Sequence, residues 1–281
     1  MTPMTAPAVA LLGVPYDASS SFRRGAAGAP APIREALWSP ASSTWSETGA
    51  DLGAGGLTDA GNLTFEEGEP GEVARARIEV AIDRLAASGL RPVSLGGDHS
   101  ITYPLLRGFR RHHPRLAILH LDAHGDLWDE FEGDRFSHAC PFARIMEEGL
   151  AQRLVQVGIR TMNPPQRRQA QRYGVELIEM RSWEGGARPR VDGPVYLSVD
   201  LDALDPAFAP GVSHREPGGL SVRDVLSIIQ QLGGTLVGAD VVEYNPRQDL
   251  GGVTAVVAAK IVKEIAGRML GEAAGQEKNQ G

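Results

Sequence analysis

The chain has 281 residues, of which 42% are hydrophobic, and its formal net charge is −7 at pH 7. This acidic balance argues against nucleic acid and anionic membranes as partners, because both bind clustered basic residues. A single cysteine, Cys140, excludes a disulfide within the chain and fits a reducing compartment. The N-terminus lacks a convincing secretory signal, so we expect a cytoplasmic protein.

Short apolar runs recur along the chain, separated by glycine-bearing loops and amphipathic segments. Most runs lack strict alternation of apolar and polar residues, which is typical of parallel strands covered on both faces. The predicted strands are residues 8–14, 92–95, 116–121, 154–159, 175–178, 195–199 and 235–242.

Amphipathic helices are predicted between these strands, and the resulting alternation indicates an α/β fold. The predicted helices are residues 72–87, 221–232 and 253–270, the second opening with the capping-box spacing Ser-Val-Arg-Asp. Residues 39–70 have no clear period and are predicted to form a surface excursion with at most a short strand. We expect one domain over residues 1–270, a three-layer αβα sandwich around a mainly parallel sheet, and a disordered tail over 271–281.

Three side chains that bind metals occupy alternate positions after the run at 116–121. Asp122, His124 and Asp126 point to one side if the backbone is extended. Burying these groups unpaired costs several kcal/mol, and a bound divalent cation removes that cost. The pattern recurs at Asp200 and Asp202, after the run at 195–199. The two sites together predict one dinuclear metal centre.

Further ionisable residues follow other predicted strands, as His99 does after 92–95 and Glu243 after 235–242. Because ligands bind beyond the carboxyl ends of parallel strands, these segments deliver their side chains to one edge. An oxygen-rich set without thiolate favours Mn²⁺ over structural Zn²⁺. Each residue alone is better explained as a cap, a turn residue or a satisfied core histidine, but the set favours metal. The candidate ligands are His99, Asp122, His124, Asp126, Asp200 and Asp202.

Several stretches of the sequence resemble one enzyme superfamily. GGDHS at 96–100, LDAHGD at 121–126 and SVDLDALDPAFAPG at 198–211 resemble the metal motifs of the ureohydrolases, which include arginases and agmatinases. SHACPFARIMEEG at 137–149, QVGIR at 156–160, GVSHREPGGL at 211–220 and ADVVEYNP at 239–246 are similar to the agmatinase-like and plant-type arginase branch. The likeness covers nearly the whole chain.

The resemblance implies a mechanism and a ligand set. Two Mn²⁺ ions per subunit would hold a bridging hydroxide, which attacks the guanidinium carbon and releases urea and an amine. The first ion would be bound by His99, Asp122, Asp126 and Asp200. The second ion would be bound by His124, Asp122, Asp200 and Asp202, so that Asp122 and Asp200 bridge. A homo-oligomer, trimer or hexamer, is also implied.

The catalytic residues implied by the resemblance are His138, Glu243 and Asp126. His138 would transfer a proton, Glu243 would pair with the guanidinium group, and Asp126 is also a ligand. Taken singly, His138 would equally fit a loop histidine and Glu243 a surface acid. Cys140 is expected to be a small buried residue without a catalytic role.

The substrate is predicted from the loop at 128–136, which contains four acids and Arg135. The acids favour a second positive charge, as in agmatine, with arginine as the alternative and other guanidino compounds after it. His214 would either line the substrate mouth or face solvent. Asp98 and Asp205 are expected to form supporting or turn hydrogen bonds.

Two other classes of protein would share parts of this pattern. A dinuclear metallophosphoesterase should show an Asn-His pair after a glycine, and the sequence contains none. A catalytically silent metal-binding member of the family should have lost a ligand, His138 or Glu243, and the sequence retains them all.

Overall fold

The computed structural model describes residues 8–183 and 189–278, with side chains described as far as residue 273. Its strands are β1 (Val9–Gly13), β2 (Leu57–Asn62), β3 (Arg91–Leu95), β4 (Ala117–Leu121), β5 (Arg153–Ile159), β6 (Glu176–Glu179), β7 (Pro194–Asp200) and β8 (Thr235–Val242). Its helices are α1 (Pro30–Leu37), α2 (Gly71–Ala87), α3 (Thr102–Phe109), α4 (Pro141–Glu147), α5 (Pro164–Tyr173), α6 (Val222–Gln231) and α7 (Val253–Lys278).

The strands form one sheet in the order β2-β1-β3-β8-β7-β4-β5-β6, and every pairing is parallel. Helices α1, α6 and α7 pack together on one face, whereas α2, α3, α4 and α5 form a continuous layer of contacts on the other. This three-layer αβα arrangement confirms the predicted fold class.

Each face of the sheet carries its own apolar core. Along β7, Leu197 and Val199 belong to the core shared with α6 and α7, whereas Tyr196 belongs to the core shared with α2 and α3. Alternate residues of a strand point to opposite faces, so a strand buried on both faces is apolar on both, except where a polar residue such as Ser198 is hydrogen-bonded. The lack of alternation in the sequence has this cause.

The predicted strands are confirmed, each within one residue of its predicted bounds. The capping box of α6 is also confirmed, because Ser221 and Asp224 exchange both of its hydrogen bonds. The excursion at 39–70 contributes β2, a mostly exposed strand at the sheet edge. Helix α7 continues to Lys278, so residues 271–278 have a helical backbone where the sequence predicted a disordered tail. Residues 279–281 of that tail lie outside the described residues.

In the part of the chain that the structure describes, no helix has both the length and the apolar character needed to cross a membrane.

Candidate metal centre

The side chains predicted as metal ligands meet at the carboxyl edge of the sheet. His99 follows β3, Asp122 follows β4, and Asp200 is the last residue of β7. Because β3, β8, β7 and β4 are neighbours in that order, their carboxyl ends lie side by side. The structure therefore brings together all the predicted ligands: His99, Asp122, His124, Asp126, Asp200 and Asp202.

A first group of carboxylates surrounds the fully buried ring of His99. Its Nδ1 atom lies 3.2 Å from Asp122 Oδ2 and 3.1 Å from Asp126 Oδ2. Asp200 Oδ2 is also 3.1 Å from this nitrogen. Among the described residues, Nδ1 has no hydrogen-bond partner. A buried nitrogen therefore faces three carboxylate oxygens.

The other ring nitrogen of His99 is held by a buried polar network. Ser198 Oγ donates to Asp240 Oδ1 at 2.6 Å and lies 2.9 Å from His99 Nε2. Because the hydroxyl proton is directed to Asp240, Ser198 accepts from Nε2–H of His99. Thr102 and Tyr196 donate to the other oxygen of Asp240. The neutral ring consequently presents the lone pair of Nδ1 to the carboxylates.

A lone pair and three carboxylates repel one another unless a positive charge lies between them. Burial alone would lower the pKa of His99, but Asp122, Asp126 and Asp200 hold it well above its usual range. In the absence of metal, a proton on Nδ1 of His99 supplies this positive charge. The donor set, one imidazole nitrogen and several carboxylate oxygens, equally fits a divalent cation.

A second group of ligands lies around His124. Its Nδ1 atom is 3.0 Å from Asp202 Oδ2 and 3.3 Å from Asp122 Oδ1. The ligand atoms of these three residues lie within 4.8 Å of one another, as a single bound ion requires. His124 is more exposed than His99, with 25% of its side chain accessible.

Asp122 belongs to both groups, which is the geometry of a bridging ligand. Its Oδ2 faces His99 and its Oδ1 faces His124. Asp200, the other predicted bridge, contacts the first group through Oδ2, while its Oδ1 accepts from the backbone N–H of Asp202 at 2.7 Å. The arrangement thus matches the predicted bridge more closely at Asp122 than at Asp200.

Two residues of the site have an unusual backbone conformation. Asp126 has φ of 46° and Glu243 has φ of 62°, in the left-handed region that non-glycine residues rarely adopt. The carbonyl of Asp126 accepts from the N–H of Phe142, and the N–H of Glu243 donates to the carbonyl of Gly97. Strain of this kind is typical of functional sites, where the surrounding structure maintains it.

His138 and Glu243, the predicted catalytic pair, are in direct contact beside the ligands. His138 Nδ1 lies 2.9 Å from Glu243 Oε1, and both residues are buried. The same Glu243 oxygen accepts from the backbone N–H of His99 at 2.9 Å. Burial opposes protonation of His138, yet the charge of Glu243 raises its pKa to about 9.

Ser21 gives the outer nitrogen of His138 a partner in either protonation state. Its backbone N–H donates to Nε2 at 3.2 Å when the ring is neutral. Its hydroxyl, 2.8 Å from Nε2, can accept from the protonated ring or donate to the neutral one. His138 can therefore gain or lose a proton without a buried atom being left unpaired.

A cavity of about 140 Å³ opens above the ligands. Gln166 and His214 form part of its wall, together with Trp128 and Phe131. His214 thus lines the mouth of the site rather than facing solvent, with its ring centroid 5.3 Å from that of His138. Gln166 is buried, and its Oε1 has no hydrogen-bond partner among the described residues.

The loop at 128–136 contributes aromatic rings to this cavity but no charge. Asp129 pairs with Arg135 and with Arg144, and Arg135 also pairs with Glu147. Within the described residues, the cavity wall includes none of the loop acids and not Arg135. The ion pairs of this loop therefore lie within the loop or between the loop and α4, away from the cavity.

The supporting residues agree with their sequence-based expectations. Asp98 accepts from the backbone N–H groups of Ser19 and Ser100, and Asp205 accepts from those of Ala207 and Gly218. Cys140 is buried, and burial raises the pKa of its thiol to about 12. It is not an activated nucleophile.

Sequence reasoning missed His120, Ser21 and Gln166. His120 carries a signal that was available, because it extends the alternation of Asp122, His124 and Asp126 by one step towards the start of β4. An imidazole at a core position of a strand needs polar partners just as a carboxylate does. Ser21 and Gln166 have no comparable signal, since they approach the site only through the folding of distant segments.

An oxygen-rich histidine–aspartate cluster at the carboxyl edge of a parallel αβα sheet defines a class of metal-dependent α/β enzyme. Residues 7–267 match the model of the Arginase family, and the chain belongs to that family. It is a hydrolase acting on guanidino C–N bonds, which confirms the ureohydrolase resemblance.

Several individual proteins and solved structures of this family are similar to the chain. Arginase 1, mitochondrial, of Arabidopsis thaliana is 48% identical over 92% of this chain and 80% of its own length. The structure of the arginase from Medicago truncatula aligns with a TM-score of 0.87 at 44% identity, covering 94% of this chain and 88% of that one. A hypothetical agmatinase from Burkholderia thailandensis aligns with a TM-score of 0.84 at 31% identity, covering 98% and 89%.

The predicted cytoplasmic location is contradicted by these comparisons. Several plant arginases similar to this chain are named as mitochondrial or as chloroplastic/mitochondrial proteins. Cysteine content and the lack of a secretory signal separate secreted proteins from others, but they do not distinguish the cytoplasm from organelles.

Proposed function

We propose that this protein is an arginase, which hydrolyses the guanidino group of arginine to urea and ornithine with two Mn²⁺ ions. The observation that carries the proposal is the placement of Asp122, whose two carboxylate oxygens face two different histidine-centred groups. Relatives named as plant arginases, at 48% and 46% identity, favour arginine over the agmatine that the sequence favoured.

The metal pair would be held by the two ligand groups. His99, Asp126 and Asp200 belong to the first, His124 and Asp202 to the second, and Asp122 to both. When bound, the cations would supply the nucleophile by lowering the pKa of water towards about 7. The absence of thiolate and the excess of carboxylate favour Mn²⁺.

Glu243 is proposed to hold the guanidinium group. Its Oε1 already accepts from His99 N–H and from His138, so Oε2 is the oxygen left to accept a guanidinium N–H. A charge-assisted bond to a planar cation limits both its position and its orientation. Glu243 lines the cavity and would therefore place the guanidinium carbon against the ligand groups.

His138 is proposed to protonate the leaving nitrogen. The ring lines the cavity, and Ser21 and Glu243 hold it from its two nitrogens. The charge of Glu243 favours the protonated ring, whereas a nearby bound cation would lower its pKa from about 9. Transfer to the amine completes the cleavage, because a protonated amine is a much better leaving group than its anion.

The far end of the substrate is proposed to contact Gln166 and His214 rather than the loop acids. The case for agmatine depended on those acids, and none of them is among the described residues that line the cavity. A glutamine amide both accepts and donates hydrogen bonds, so the unpaired Oε1 of Gln166 suits an amino acid's ammonium group and its amide nitrogen suits the carboxylate.

The proposal is tested by urea release from the Mn²⁺-loaded protein with arginine, agmatine, guanidinobutyrate and guanidine as substrates. We expect arginine to have the highest kcat/KM. Urea from agmatine alone would contradict the arginine assignment, and no urea from any of the four would contradict the hydrolytic mechanism. The protein treated with a chelator serves as the control.

The homo-oligomer expected from the resemblance stays a prediction. Val253 and Val256, three residues apart on α7, are exposed beside Leu250. An exposed apolar patch of this kind is typical of a surface that another subunit covers. Sedimentation velocity at several protein concentrations measures the assembly state directly.

A further inference from the structure

His120 was not among the predicted ligands, although its ligand atom lies within 4.8 Å of those of His99 and Asp122. It is fully buried in β4, and its ring stacks on that of Phe142 with centroids 3.9 Å apart. Its Nε2 atom lies 2.8 Å from Asp122 Oδ2, the oxygen that also faces His99. Its other nitrogen, Nδ1, lies 2.9 Å from Gln156 Nε2. Both ring nitrogens are therefore occupied by protein partners.

Hydrogen-bond polarity decides which ring nitrogen of His120 carries the proton. Gln156 Nε2 is 2.6 Å from the carbonyl oxygen of Gly125, which can only accept, so the amide nitrogen must face this carbonyl. The second hydrogen of the same nitrogen then points to Nδ1 of His120, which must accept it. The proton of the neutral ring is thereby placed on Nε2, directed at Asp122.

Asp122 is held at its other oxygen and at its backbone as well. The N–H of His124 donates to its Oδ1, and its own N–H donates to the carbonyl of Val157 at 3.0 Å. Gly158 has φ of 97°, and a Cβ there would lie 2.8 Å from the carbonyl oxygen of Asp122. The stretch at 156–159 of β5 contains no predicted ligand, yet it contacts Asp122 directly through its backbone and indirectly through His120.

We propose that Gln156 and His120 form a relay that positions Asp122 as the bridging ligand. A bridging carboxylate must present one oxygen to each ion, so rotation about its Cβ–Cγ bond would break both contacts. The bond from Nε2–H of His120 opposes this rotation, and Gln156 keeps the proton on the nitrogen that makes it. The inference depends on the proposed function in one respect, the assignment of Asp122 as the bridge.

The relay is tested by the Mn²⁺ affinity of substituted proteins, measured by competition with a chelating dye. His120→Phe keeps a ring against Phe142 but removes both hydrogen bonds, and we expect affinity to fall by about 10- to 100-fold. His120→Gln retains an N–H donor that can reach Asp122 and should recover part of the loss. Gln156→Leu removes the hydrogen bond that selects the tautomer of His120, and it should weaken Mn²⁺ binding less than His120→Phe does.

The double variant distinguishes a relay from two independent defects. If Gln156 acts only through His120, then His120→Phe with Gln156→Leu should bind Mn²⁺ as His120→Phe alone does. Losses that add in the double variant would overturn the proposal, and so would unchanged affinity in His120→Phe. Electron paramagnetic resonance supplies a second readout, because spin coupling between the two ions should weaken when the bridge is misplaced.

Two controls separate the relay from folding and from catalysis. Gln169→Leu removes another glutamine with a buried amide nitrogen, on α5 and without a hydrogen bond to the relay, and should leave Mn²⁺ affinity unchanged. If His120→Phe fails to fold, His120→Gln and Gln156→Leu still decide the question. Urea release is measured separately, so an unsubstituted protein that binds Mn²⁺ without hydrolysing any substrate would contradict the proposed function alone.

Discussion

The carboxyl edge of the sheet and the loop at 128–136 are neighbours in sequence but are built by different means. At the edge, parallel strands place the ligands, and buried hydrogen bonds hold them, as Ser198 and Asp240 hold His99. In the loop, charges pair near the surface, with 56% of the Asp129 side chain and 42% of the Arg135 side chain exposed. A high density of charged residues in the sequence therefore does not by itself indicate a functional site. Charged side chains that are buried without a counter-charge do indicate one.

Substitution at the edge should have the largest effect. Asp122→Ala removes the residue shared by both groups, and we expect kcat/KM for arginine to fall by about 10³-fold or more, because several kcal/mol of stabilisation by the metal pair are lost. Mn²⁺ binding should weaken in parallel. Asp129→Ala, an aspartate of the loop, is the matched control and should retain nearly full activity. Equal losses in the two variants would contradict the comparison.

His138→Asn should impair proton transfer while leaving the metal groups intact. We expect kcat to fall by about 10²- to 10³-fold, the usual contribution of a general acid, with Mn²⁺ affinity close to that of the unsubstituted protein. Steady-state kinetics and dye competition measure the two quantities. A loss of metal affinity as large as the loss of kcat would place His138 among the ligands instead.

The same residue predicts a pH dependence of stability in the metal-free protein. The pKa of His138 in the folded state is about 9. Because this exceeds the value of about 6.5 in an unfolded chain, the protonated ring stabilises the fold fully below about pH 6.5, and the contribution is lost as the pH rises through about 9. The difference in free energy of unfolding between the unsubstituted protein and His138→Asn should shrink along this range in urea titrations. A difference that grows with pH would contradict the assigned cause.

Gln166→Leu tests the cavity wall, where an intermediate effect is expected. If the amide contacts the amino-acid end of arginine, KM should rise by about 10-fold with kcat less affected, since one uniform binding contact is lost. The rise should be smaller for agmatine, which lacks the carboxylate. Equal changes for both substrates would indicate that Gln166 does not distinguish them.

Arg135→Ala should have the smallest effect. Its ion pairs with Asp129 and Glu147 are exposed, and exposed pairs contribute about 0–1 kcal/mol to stability. We expect the free energy of unfolding to change by less than about 1 kcal/mol and KM for arginine to change by less than about twofold. A large rise in KM would mean that this loop, rather than the cavity wall, recognises the substrate carboxylate.

Much of the fold and the ligand set could be predicted from the sequence, for a physical reason. Strands buried on both faces are mainly apolar, so β4 and β7 can be recognised in the sequence, and charged residues at alternate positions after them are unusual. Helices α1, α3, α4 and α5 were not predicted individually, since each is too short to show a clear helical period. The role of Gln166 could not be predicted either, because its nearness to Asp126 and His214 in the cavity arises only from tertiary packing, in which α5 lies against α4.

The comparisons favour arginine over the agmatine that the loop acids predicted, and tertiary packing again explains why the sequence argument was weak. Asp129 is adjacent to the metal motif in sequence, but Arg144 on α4 and Arg135 in the loop bind its carboxylate. Sequence shows which charges are near one another along the chain, not which of them neutralise each other in space. The partner of a surface charge is determined by tertiary packing.

The central claim, a dinuclear arginase, is tested most directly by titrating the metal-free protein with Mn²⁺ while urea release from arginine is measured. We predict that the rate rises until two ions per chain are bound and then stays constant, as the two groups joined by Asp122 require. Full activity with one ion per chain, or activity that persists after the metal has been removed, would contradict the account.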